Sequence, residues 1–192
     1  MRAWVRHRRS SSLVAAVIAG LALSACSGSS LPVQRSTPTV TPAGKHYSYS
    51  ASRVPRSQWP NPCTLLTRSS GEAALRTSVT VRRFHTSCYY TPGSNDYPTL
   101  TIKLLAVGTG AGNSYRRTSK DNKGVDRSSI PDVGRSAYLY KVRHLPAFRI
   151  NALTRFAHFS VTEQSPAGQR LGVPRARMLL VAVGRAVAKA FH

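Results

Sequence analysis

The sequence predicts an α+β fold: a mainly antiparallel sheet, a short N-terminal helix, and a long amphipathic C-terminal helix packed on the sheet. Three observations carry this. Strand-period segments follow one another through the middle of the chain without βαβ alternation, which argues for antiparallel pairing. The segment 173–192 has a 3.6-residue apolar period. Residues 61–192 are numerous enough to build a sizeable core unaided.

The stretch NPCTLLTRSSGEAALR (61–76) opens this unit. Ser69 and Glu72 have the spacing of a capping box, so a short helix is expected from about Ser70 to Arg76. SVTVRRF is rich in β-branched residues and SCYYT follows closely, giving a strand or two. PGSND is a turn cluster. In YPTLTIKLLAV, Leu100, Ile102 and Leu104 alternate with Thr99, Thr101 and Lys103, the pattern of a half-buried strand. GTGAGNSYRRTSKDNKG (108–124) is polar and glycine-rich, and reads as a loop or a poorly ordered helix.

IPDVGRSAYLYKV predicts a turn and then a strand near 136–142, and RHLP turns the chain. AFRINALTR and FAHFSVTE are two further strands, and QSPAGQRLG is a loop. In VPRARMLLVAVGRAVAKAFH, Pro174 sits where a first helical turn tolerates it. At 100° per residue, Ala176, Leu179, Leu180, Val183, Val187, Ala190 and Phe191 fall within about 120°. Arg175, Arg185 and Lys189 fall on the opposite side. The stripe suits a helix laid on a sheet; its other reading is a helix lying on a membrane surface.

The beginning of the chain points to export. MRAWVRHRRSSS carries Arg2, Arg6, Arg8 and Arg9 and no acid, a segment retained on the cytoplasmic side while an apolar run inserts. Leu13 to Leu23 is an apolar run of 11 residues, against the ~20 that a spanning helix needs. That is the length of a signal-peptide h-region. The run closes on Leu23-Ser24-Ala25-Cys26, which resembles the bacterial lipobox: a leucine, two small residues, then the cysteine that becomes the mature N-terminus. Small side chains let the backbone enter a peptidase site, and the Cys26 thiol is the nucleophile that takes the diacylglycerol, with palmitate as a typical chain. Residues 1–26 are therefore expected as a lipoprotein signal peptide, cleaved before Cys26.

Residues 27–60, dominated by Ser, Thr, Pro and Gly, show neither period and are expected as a disordered tether. A flexible coil of that length spans on the order of 30 Å. Residues 61–192 form one α+β domain. Cysteine arithmetic agrees with export. The chain has three Cys; if Cys26 carries lipid, Cys63 and Cys88 remain as an even pair in an oxidising compartment, and a disulfide is expected. Closing a loop of 25 positions (88 minus 63) stabilises a fold by roughly 3 kcal/mol in the chain-entropy model.

Charge limits the partners. The chain has 28 Lys+Arg against 6 Asp+Glu, a formal charge of +22; residues 1–26 hold four Arg, leaving +18 beyond them. Nucleic acid is not expected as a partner: the chain is exported, its basic residues are spread and not clustered, and no DNA- or RNA-binding signature is present. An anionic lipid or anionic wall polymer fits a diffuse positive surface outside the cell. Composition alone, with no partner, is the other account of the excess.

Motifs of chemistry are scarce. The sequence has no HExxH, CxxC, GxSxG or P-loop pattern. Ser136 lacks the second glycine of a nucleophile elbow, and no Ser has a Lys three residues on. GTGAGN has the wrong spacing for a dinucleotide loop, and DNKGVD offers Lys123 and Val125 where calcium ligands are needed. The six acids are widely spaced, which makes paired-carboxylate catalysis unsupported. His85, His144 and His158 are isolated in sequence. No catalytic residue, metal ligand or cofactor is assigned.

The pieces together resemble a family of actinobacterial surface lipoproteins of unknown function. Its members have a lipobox, a Ser/Thr/Pro tether, and a domain opening Pro-Cys-x-Leu-Leu-Thr, with a second Cys about 25 residues later. The matching residues are Pro62, Cys63, Leu65, Leu66 and Thr67, then Cys88 with Tyr89, Gly134 with Ala137, and the helix 174–191. Thr64 stands where an acid is common in that family, and Tyr89 where Trp is common. The resemblance implies fold and location, and no mechanism. The expectation for function is a noncatalytic binding or accessory module, lipid-anchored at the outer face of the cell membrane. An extracytoplasmic enzyme with an unrecognised site is the alternative.

Overall fold

The computed structural model describes residues 39–191, apart from 52, 124 and 167–171. Cys26, the lipobox and residues 27–38 of the expected tether lie outside the described residues.

The strand-period segments pair as one sheet. Its strands are β1 (Val79–Phe84), β2 (Ser87–Pro92), β3 (Thr99–Val107), β4 (Arg127–Ser129), β5 (Ser136–Lys141), β6 (Ala147–Leu153) and β7 (Ala157–Gln164). The order is β1-β2-β3-β7-β6-β5-β4, antiparallel throughout. Two meanders are thus joined where β3 meets β7, from Thr99 opposite Gln164 to Val107 opposite Ala157, with a bulge between Leu104 and Ala106. Three α-helices complete the fold: α1 (Arg68–Leu75), α2 (Ala111–Asp121) and α3 (Val173–Lys189).

The period-2 alternation decides which face of the sheet is apolar. Leu100, Ile102 and Leu104 are buried, as are Ile150, Ala152, Phe159 and Val161. Ile150 lies opposite Val161 and Ala152 opposite Phe159, so these side chains share one face. The apolar stripe of α3 closes it, with Ala176, Leu179, Leu180, Val183 and Val187 buried. Gly184 lets the helix approach: a Cβ there would lie 3.0 Å from Val133 Cγ1.

α1 packs near the other end of this face. Its cap is Thr67, whose hydroxyl accepts from the Ser70 N–H at 3.1 Å, in place of the expected Ser69–Glu72 box. The Glu72 carboxylate instead accepts from Arg68 Nε at 3.0 Å and from the Val79 N–H at 3.3 Å. The Cys63–Cys88 disulfide is present, tying the 3-10 turn Pro62–Thr64 to β2.

Residues 39–60, the distal part of the expected tether, wrap the folded unit. Pro42 bridges Leu66, and Ser70 Oγ donates to the Thr41 carbonyl at 2.9 Å. The Tyr47 N–H donates to the Ala190 carbonyl at 2.7 Å, and its ring leans on Phe191 at 5.8 Å. The Thr109 N–H donates to the Ala51 carbonyl, Val54 is buried, and Trp59 Nε1 donates to the Val54 carbonyl at 2.9 Å. A few aromatic and aliphatic side chains suffice to hold a segment whose average composition is that of a linker.

Candidate functional site

Two polar regions stand out. The first is the sheet face opposite α3, where the register alternates to polar residues. Tyr138 lies opposite Asn151, Asn151 opposite Ser160, and Arg149 opposite Thr162. Asn151 Nδ2 donates to the Tyr138 and Tyr140 hydroxyls at 3.0 and 3.3 Å. Arg149 Nε donates to Thr162 Oγ1 at 2.8 Å.

α2 covers part of this face, which corrects the expectation of a loop or a poorly ordered helix for 108–124. Its half-buried residues include Ser114, Tyr115 and Thr118, which carry hydroxyls where a core helix carries aliphatics. Ser114 Oγ and His158 Nδ1 are 2.8 Å apart. The Tyr115 ring stands edge-on to His158 at 5.5 Å, and its hydroxyl meets Ser136 Oγ at 2.9 Å. His158 is fully buried, and burial lowers its imidazole from 6.5 to about 4, so the neutral ring is the form held at neutral pH. Its Nε2 has no hydrogen-bond partner among the described residues.

The three isolated histidines do not come together. His85 lies in the β1–β2 turn at φ 52° beside Phe84, lining a small cleft with Arg83 and Trp59. His144 lies in the β5–β6 turn at φ 61°. Among the described residues no carboxylate pairs with any of them, and no group of three His, Cys, Asp or Glu gathers as a metal site.

The second region is a groove of about 610 Å³ at the C-terminal end of α3. Arg135, Arg155, Arg185 and Lys189 line it, with Asp132 as the single acidic side chain among the described residues. Local geometry places the backbone of each cation at the groove. Gly134 takes φ +66° and lies so close to Leu153 that a Cβ would sit 2.5 Å from the Leu153 carbonyl oxygen. Only glycine fits there, and the Arg135 N–H then donates to that carbonyl at 2.7 Å. Arg155 stands on the tight β6–β7 turn, where the Thr154 N–H donates to the Ala157 carbonyl at 2.8 Å and the Ala157 N–H donates back to Thr154 Oγ1 at 2.9 Å. Arg185 and Lys189 are one helical turn apart on α3. Arg185 reaches Asp132 at 3.4 Å with both side chains open to water, a contact of little energetic weight. Phe191, buried, forms part of the groove's floor.

At the opposite end of α3, Glu163 is buried with Oε1 accepting from Ser165 Oγ at 2.9 Å and Oε2 without a hydrogen-bond partner among the described residues. Burial raises its carboxyl, against smaller lowering effects of the Ser165 bond and of Arg175. Sequence reasoning missed the groove, the Ser114–His158 pair and Glu163. Of the groove outside α3, the sequence singles out only Gly134, paired with Ala137 in the family resemblance; none of the four cations is marked as a binding residue.

No family model, curated protein or solved structure matches this chain. No helix among the described residues is long and apolar enough to cross a membrane.

Proposed function

We propose that this chain is a cell-envelope lipoprotein of the actinobacterial type, anchored through acyl chains on Cys26 at the outer face of the cell membrane. Its folded unit is a noncatalytic binding module for an anionic partner. The observation that carries the binding reading is the groove: four cations from three parts of the chain line it against one acidic side chain among the described residues. The n-region, the 11-residue apolar run and the lipobox support the anchor. Two acyl chains hold firmly at about 0.8 kcal/mol per buried CH₂, where one is marginal. Cys26→Ser should move the protein from the membrane to the soluble fraction. A variant that stays with the membrane would show that Leu13 to Leu23 is the anchor, and the lipoprotein reading would fail.

The enzyme alternative has one observation in its favour, the 2.8 Å approach of Ser114 Oγ to a neutral His158. A serine beside an imidazole is the start of a nucleophile–base pair. Among the described residues the other imidazole nitrogen meets no carboxylate, and neither residue lines the clefts around α3, the β1–β2 turn or Tyr97. Covalent labelling of Ser114 by a fluorophosphonate would favour the enzyme; its absence favours the binding module.

A further inference from the structure

We infer that the groove at the end of α3 takes the phosphate headgroup of an anionic lipid in the membrane that anchors the chain; this deepens, and rests on, the reading of an anchored anion-binding module. Three of its four cations are arginines, whose planar forks can each meet two phosphate oxygens. They come from different elements, so the charges surround a site and do not form a stripe. Ala188 and Phe191 back the groove but are themselves buried in the fold, so recognition there rests on the cations and the phosphate they meet.

The path of the chain supplies an independent argument. Tyr47 is fixed to Phe191 and Ala190, at the rim of the groove. Tyr47 is 21 residues (47 minus 26) from Cys26, and a fully extended chain covers at most about 3.6 Å per residue. An anchor at Cys26 therefore keeps the groove within roughly 75 Å of the headgroups at all times. Such confinement raises the effective concentration of lipid at the site without any new contact. A weak individual headgroup affinity is then enough.

The test uses residues 26–192 carrying Cys26→Ser, which retain the whole described fold without an acyl anchor. Binding to phosphatidylcholine vesicles with and without phosphatidylglycerol is measured at low and physiological salt. The groove variant is Arg135→Gln with Arg155→Gln, and Arg185→Gln with Lys189→Gln repeats the test from the helix side. The control is Arg116→Gln with Arg117→Gln, which removes the same charge from the exposed side of α2. At about fivefold per cation near an anionic surface, the groove variants should bind phosphatidylglycerol vesicles roughly 25-fold more weakly. The control should lose less than about threefold, since charges beyond a Debye length of about 8 Å are screened. Circular dichroism establishes that each variant is folded. Equal losses in groove and control variants would overturn the groove while leaving diffuse anionic binding intact. An unsubstituted chain that does not prefer phosphatidylglycerol would overturn the anionic-surface reading itself. Capture by poly(glycerol phosphate) with no vesicle binding would replace the lipid with a wall polymer.

Discussion

The two faces of the sheet are closed by different forces. On one, α3 presents Leu179, Leu180, Val183 and Val187 to Ile150, Phe159 and Val161. On the other, α2 presents Ser114 and Tyr115 to His158, Ser136 and Tyr138. Apolar burial contributes about 25 cal/mol per Å² and needs no particular geometry. A hydrogen bond contributes only about 1 kcal/mol net, and its unmet groups cost more than that. The α3 face therefore holds the fold together, whereas the α2 face is held by a few contacts that depend on orientation and protonation.

The sharpest way to separate the faces is to cut into each. Leu180→Ala, at a fully buried position of α3, should cost about 3–4 kcal/mol in urea unfolding, from lost transfer energy and a residual cavity. A cost under about 1 kcal/mol would mean that α3 is not the main closure.

Acid should act on the opposite face. His158 has a folded pKa of about 4 against 6.5 for the free side chain. Between those values the unfolded chain binds more protons than the folded one, so stability falls as pH falls through that window. The contribution is about 3 kcal/mol when complete, for a fully buried ring. Hydrogen exchange should quicken on α2 before α3 across the same window, and His158→Leu should flatten the dependence. Glu163, on the α3 face, works in reverse. Its carboxyl is raised by burial, so its contribution is present at low pH and lost as pH rises above 4.5 toward the folded value. Glu163→Gln should remove that opposing slope and leave the one from His158 exposed.

The smallest effect is Ser114→Ala, which removes one side of the Ser114–His158 hydrogen bond. It should cost about 1 kcal/mol and slow no reaction if the pair is structural. A loss near that of Leu180→Ala would erase the distinction between the faces.

The same contrast explains what the sequence discloses. β3 and α3 are legible because their inward residues are apolar, so period 2 and period 3.6 stand out in Leu100-Ile102-Leu104 and in Leu179-Leu180-Val183. α2 is hidden because, Ala111 apart, its inward residues are Ser, Tyr and Thr, so the segment is polar overall and shows no aliphatic stripe. β4 is hidden because it is three exposed residues, Arg127–Ser129, at a sheet edge. The candidate site is hidden for a topological reason. Arg135, Arg155 and Arg185 are 20 and 30 positions apart (155 minus 135, 185 minus 155), and only two turns and the last helix bring them to one groove. Scattered arginines in a sequence and converging arginines in a fold look alike until the register is known. Ser114 and His158, 44 positions apart, are joined in the same way.

The Cys63–Cys88 bond also sets a mechanical limit. A chain held by its amino-terminal side carries load along residues 39–62 before any strand feels it. The contacts of that segment, such as Tyr47 to Ala190 and Thr41 to Ser70, are met one after another and so can be peeled singly. Peeling stops at Cys63, because a covalent bond there passes the force to β2, which is flanked by β1 and β3 and hydrogen-bonded on both sides. The slack available before that stop is 24 residues (63 minus 39), roughly 80 Å of extended chain. With the bond intact the segment acts as a yielding leash in front of a rigid block. With the bond reduced, the same pull would run on into α1 and the first edge of the sheet.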